Sequence, residues 1–250
     1  MLGPPQAAKA KFDTFMSSFQ SSVASSGVSF TDTAAMADAL CAHLDKSVAD
    51  AEGLQLNAVV DMGPYTGYGG GGKTPMYLLL VMAGGLYAEA KGLRHMLALG
   101  ADPNVRFDFY SNYNLCPRLY SLTPLTYLVM QFVLGGMAEM MKLDAAAGAR
   151  ALLDAGADAN AAAVMTHRVS VNSEPQVTPH DGPAFRQTAV MLLASQCRAP
   201  DGSDRPVTGP CAAAMLKALV EKGADLGARA ADDKTVRELA MSAEAAAILA

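Results

Sequence analysis

The stretch Leu152–Asn160, "LLDAGADAN", decides how this chain is read. Its leucines close the run "ARALLDAG", where apolar residues fall at three- and four-residue steps and give a helix one apolar face. Gly156 then ends that helix, because glycine enters the left-handed conformation without a Cβ clash. The phrase recurs. Gly100–Asn104 reads "GADPN" after "LRHMLALG", and Gly223–Gly227 reads "GADLG" after "LKALVEKG". A fainter copy, "GLQLN", spans Gly53–Asn57. Recurrence on this scale is the mark of stacked repeats, each one supersecondary unit.

A second phrase alternates with the first. Thr74 opens "TPMYLLLVMA", Thr123 opens "TPLTYLVMQF", Thr188 opens "TAVMLLASQ" and Thr235 opens "TVRELAMSA". A threonine hydroxyl can cap the first amides of a helix, and proline suits the first helical position, where its missing N–H is not needed. Each unit therefore reads as helix, helix, glycine stop and an extended connection to the next threonine.

These phrases resemble the ankyrin repeat. The family's T-P-L-H-x-A opening is similar to "TPMYLL" and "TPLTYL", and its helix-ending phrase is similar to "LLDAGADAN". The last connection, Gly223 to Thr235, also has the ordinary ankyrin length. The resemblance covers residues 53–250 and implies an all-α fold: an ankyrin-type solenoid of about four helix-turn-helix repeats joined by extended, hairpin-like linkers. The threonines are 49, 65 and 47 residues apart, against a family period of about 33. Tyr77, Thr126, Met191 and Glu238 stand where the family has histidine. These are expanded, divergent repeats. The resemblance implies a non-catalytic protein-binding scaffold or assembly subunit, whose partner lies on turn tips and first helices exposed by the stacking.

The stretch Thr66–Pro75, "TGYGGGGKTP", offers another reading. Gly67, Gly72, Lys73 and Thr74 satisfy G-x-x-x-x-G-K-[ST], so the alternative is a P-loop-like nucleotide-binding protein using Gly67–Thr74. In phase with the other threonines, Thr74 and Pro75 instead become the cap and first residue of a repeat helix. "RALLD", Arg150–Asp154, belongs to a repeat helix and supplies no second nucleotide motif.

The insertions hold the candidate contact residues. Val105–Leu122 carries Phe107, Phe109, Tyr110, Tyr113 and Tyr120, five of the sixteen aromatic residues. The alternation of Val105, Phe107 and Phe109 suggests an elongated hairpin. Tyr65 and Tyr68 flank the glycine run and join the same expected partner-binding set. Large, rigid aromatics serve as contacts or pack back over a wide gap, and both readings fit here. Ala161–Gln187 is a second long linker, with Pro175, Pro179 and Pro183; Cys197–Pro210 is a third insertion.

Residues 1–52 differ from the repeats. Phe12, Phe15, Met16, Phe19 and Val23 fall on one helical face, and Met36, Leu40, Leu44 and Val48 fall on a second. These helices are expected to cap the first repeat, whose flank would otherwise be bare. At the other end, Ile248 and Leu249 are expected near an open, frayed or partner-bound flank.

Composition narrows the class. The chain is 51% hydrophobic and 17% charged, which suits a packed globular protein. A net charge of −5 with no basic cluster argues against nucleic acid. Cys41, Cys116, Cys197 and Cys211 form no C-x-x-C pair, so no metal site is expected and a reducing, cytoplasmic compartment is. His43, His95, His167 and His180 stand in no catalytic phrase. The expectation is therefore no enzyme, no cofactor and no membrane insertion.

Overall fold

The computed structural model describes residues 4–29, 31–49, 54–62, 72–111, 118–133, 144–170, 176–179, 186–195, 210–230, 233–240 and 243–250. Two helices lead: α1 (Pro4–Ser26) and α2 (Thr33–Ala49). Strands β1 (Val59–Asp61) and β2 (Gly72–Pro75) follow, then α3 (Met76–Leu80), a π-turn (Val81–Gly85) and α4 (Tyr87–Ala98). Strands β3 (Phe107–Ser111) and β4 (Arg118–Leu122) precede α5 (Pro124–Val133) and α6 (Ala145–Asp154). Then come β5 (Ala162–Ser170), β6 (Gln176–Pro179), β7 (Arg186–Thr188), α7 (Ala189–Ser195) and α8 (Pro210–Glu221). The short helices α9 (Val236–Leu239) and α10 (Ala243–Leu249) end the order.

The all-α expectation is corrected by the strands. They form one seven-stranded antiparallel sheet, ordered β1-β2-β3-β4-β5-β6, with β7 also on β5. The reason is linker length. Each long linker carries enough alternating residues to form a hairpin, and each hairpin pairs with the next: Gly72 lies opposite Phe109, and Tyr120 opposite Met165. The short last linker makes a single bridge, Arg229 to Thr235. The fold is mixed α/β.

The helices form two stacked rows. The closing helices α2, α4, α6, α8 and α10 pack each on the next. Among the opening helices, α5 packs on α7 and α7 on α9. Helix α1 lies against β1 and α2, burying Phe15, Phe19 and Val23. At the far end Leu249 is 1% exposed, so it is core and not an open flank.

The recurring "GAD" turns lock this stack. The left-handed glycines Gly100, Gly156 and Gly223 close α4, α6 and α8, with the following amide bonding back into the last turn, as Ala157 N does to Leu152 O at 2.9 Å. Each turn is then tied to its neighbour by an asparagine. Asn57 Nδ2 donates to Gly100 O at 2.9 Å while its Oδ1 accepts from Asp102 N at 2.8 Å. Asn104 does the same to Gly156 O and Asp158 N, both at 2.8 Å. Asn160 repeats it on Gly223 O at 3.1 Å and Asp225 N at 2.7 Å. Asp102, Asp158 and Asp225 each fold back on the amide two residues later, which presets the turn.

The threonines cap as expected at three of the four openings. Thr123 and Thr126 bond reciprocally, and Thr188 Oγ1 accepts from Met191 N. Thr235 and Glu238 complete a capping box. Thr74 does not cap. It lies inside β2, and Pro75 holds the cap position of α3. The first amides of α3 bond to linker carbonyls instead, Met76 N to Ala58 O and Tyr77 N to Leu56 O.

Two packing constraints yield measurable consequences. A Cβ on Gly92 would sit 2.9 Å from Gly85 Cα and 3.1 Å from Gly85 O, which are backbone atoms with no room to yield. Gly92→Ala is expected to cost about 2 kcal/mol through this overpacking, read from its urea midpoint. Asn104→Ala removes both bonds between two turns and is expected to cost about 1–2 kcal/mol in the same measurement.

Candidate functional site

The aromatic hairpin is built by strict alternation. In β3, Phe107 and Phe109 face the helices, and Asp108 between them faces solvent. Phe107, Phe109 and Tyr120 are 5%, 9% and 4% exposed. Tyr127 of α5 clamps two of them, with ring centroids 5.5 Å from Phe107 and 5.0 Å from Phe109, both edge-to-face. These three residues are core, which corrects their expected role as exposed partner contacts. The sheet needs an apolar underside to cover the opening helices, and aromatics supply the most area. The Tyr110 backbone pairs with Leu119 in the same hairpin. Tyr113, Tyr65 and Tyr68 lie outside the described residues.

The opening helices are sealed beneath this sheet. Leu125, Thr126, Tyr127, Leu128, Val129 and Met130 are six successive residues no more than 5% exposed. A helix buried around its whole circumference is wedged between layers. In α7, Ala189 through Ala194 are likewise all buried. The first helices α5 and α7 therefore offer no open groove along these residues.

What the sheet offers solvent is its other face. One row crosses six strands in register: Asp61 opposite Lys73, Lys73 opposite Asp108, Asp108 opposite Ser121, Ser121 opposite Val164, and Val164 opposite Arg186. Lys73, Asp108 and Arg186 are exposed, and the other three are half-buried. Five strand spacings make the row roughly 24 Å long. Arg106 reaches across beside it to the Ala162 carbonyl at 3.3 Å.

Lys73 and Thr74 lie in strand β2. Their backbone is extended and paired with Asp61 and Val60, whereas a P-loop sets these residues at the start of a helix. Thr74 is 2% exposed. Residues 63–71, which hold most of the glycine run, lie outside the described residues.

The opposite surface, on the closing helices, is occupied by its own ion pairs. Lys91 bonds Asp38, His95 Nε2 meets Asp45 at 2.7 Å, Arg150 meets Glu221 at 2.7 Å and Lys222 meets Asp154 at 2.7 Å. The Lys222 bond, with Arg150 and Arg94 nearby, holds the Asp154 carboxyl below its usual range. Exposed pairs of this kind are screened by solvent and add little to stability.

Among the described residues, no three His, Cys, Asp or Glu side chains gather as a metal site, and no helix is long and apolar enough to cross a membrane. Among the described residues, Cys41 and Cys211 stand in no disulfide; both are half-buried, and burial pushes both thiols up. No protein-family model matches the chain, and no curated protein matches it either.

Asn57, Asn104 and Asn160 bridge the turns, and Lys73 and Asp108 sit in the outward row; the sequence reading gave none of them these roles. Asp108 was legible, because a lone carboxylate between two phenylalanines marks the solvent side of a strand. Phe109→Ala is expected to destabilise by about 3 kcal/mol, as a core truncation does, in chemical denaturation.

Proposed function

We propose that this chain is a divergent ankyrin-repeat protein that acts as a non-catalytic scaffold or assembly subunit and binds a protein partner on the outward face of its sheet. The observation that carries this reading is the in-register row from Asp61 to Arg186. Its strands are held in fixed order by the pairing of successive hairpins, so its side chains are positioned before any partner arrives. Such preorganisation lowers the entropy lost on association. The alternating charges at Asp61, Lys73 and Asp108 would favour a partner of complementary pattern and set its register.

The asparagine-tied "GAD" turns and capped threonines support the family assignment. The burial of α5 and α7 moves the proposed contact from the first helices to the hairpins. Half-buried thiols at Cys41 and Cys211, outside any disulfide among the described residues, suit the reducing, cytoplasmic compartment that the reading proposes.

The test is charge exchange on the row. The double variant Lys73→Glu, Asp108→Lys is expected to keep its circular dichroism and melting temperature, because both side chains are exposed. It is expected to lose the partners that the wild-type chain captures, read by affinity purification and mass spectrometry from the native source. Equal capture by variant and wild type would remove this face from consideration.

A further inference from the structure

Helix α1 is held to the rest of the molecule by an aromatic cluster with a titratable centre. The His43 ring of α2 meets Phe15 at 4.9 Å, edge-to-face, and Phe19 at 5.8 Å; the two phenyl rings stack at 6.3 Å. Phe15 and Phe19 are buried, and His43 is half-buried. The same helix lies on β1, the first strand of the sheet, whose other edge is paired to β2.

Among the described residues, the charges around His43 give an imidazolium little to bind. From α1 it is met by two phenyl rings. The charged residues of that helix, Lys9, Lys11 and Asp13, precede Phe15, and Lys9 is bonded to Asp13 at 2.6 Å. On α2 itself Lys46 stands one turn on, while Asp45 and Asp38 are engaged by His95 and Lys91 of α4. On β1, Asp61 stands opposite Lys73 in the register and is engaged in contacts of its own. The pull of a cation towards a ring face is small at a partly exposed site, and Lys46 opposes it. Burial first, and Lys46 second, hold the His43 imidazole below its ordinary range.

We propose that protonation of His43 releases α1 from its seat on α2 and β1. The sign follows from the depressed basicity. The docked state prefers the neutral ring, so its stabilisation is full above the usual imidazole value of about 6.5 and is lost as the pH falls through it. Helix α2 stays in place, because α4 holds it through the Lys91–Asp38 and His95–Asp45 contacts. The device is separate from the proposed row of side chains, and its test needs no partner.

The experiment is hydrogen exchange on the full chain at about pH 7.5 and about pH 5.5, with intrinsic rates corrected, spanning the imidazole range. In the wild type, α1 amides are expected to lose protection several-fold at the lower pH while α4 and α6 keep theirs. His43→Leu is expected to hold α1 protected at both. His43→Lys is expected to leave α1 unprotected at both, with α4 and α6 still protected. Unchanged α1 protection in the wild type would overturn the proposal, as would a His43→Leu response equal to that of the wild type. Should His43→Lys lose protection throughout, the comparison of wild type with His43→Leu decides alone.

Discussion

Everything in this molecule depends on the asparagine side chain that spans one turn and the next. A carboxamide has an acceptor and a donor on one planar group. Asn104 uses both on the same neighbour, taking the Asp158 amide and giving to the Gly156 carbonyl. A side chain held at both ends fixes spacing and orientation together. The consequence reaches the sheet. Packed helices lie about 8–10 Å apart, and two strand spacings come to about 9.5 Å. One hairpin per helix pair therefore advances by the same step as the helices do. The hairpins tile edge to edge because the two repeats are commensurate.

That match explains why the middle layer is so apolar. Once hairpins join into a sheet, the helices below lose their exposed side. "PLTYLVMQF" is apolar nearly all round, which suits a helix with neighbours on every flank and would be a liability on a surface. The aromatic underside at Phe107, Phe109 and Tyr120 and the receiving ring at Tyr127 belong to the same requirement. Solvent meets the molecule on two faces of different character: a strand row of fixed side chains, and a helix row laced with its own ion pairs.

Much of this was legible in the sequence. The repeat unit, the glycine stops and three of the four threonine caps follow from local chemistry, and local chemistry is what a sequence displays. The amphipathic leader helix was legible for the same reason. The joining of hairpins was not. Linkers of different length and composition carry no shared pattern, and pairing between them is set by the stack beneath. The alternation in "VRFDFY" announced a strand but not which face would be covered, and so the phenylalanines looked available. Thr74 misled because a "TP" pair starts a helix in isolation, whereas here the strand runs on to Pro75 and carbonyls from 56–58 take over the capping.

The sheet also alters how the stack comes apart. In a simple repeat array each unit touches its neighbours through helices and turns alone, so stability is a sum of units and interfaces, and units can melt in succession. Strand pairs across the junctions raise the interface share. They are not equal. Strands β4 and β5 share four registered residue pairs, β2 and β3 share two, and among the described residues the last linker keeps only the Arg229–Thr235 bridge within itself. Cooperativity is therefore graded along the axis. The centre behaves as one block that opens all together or not at all, while α9 and α10 join it through helix packing.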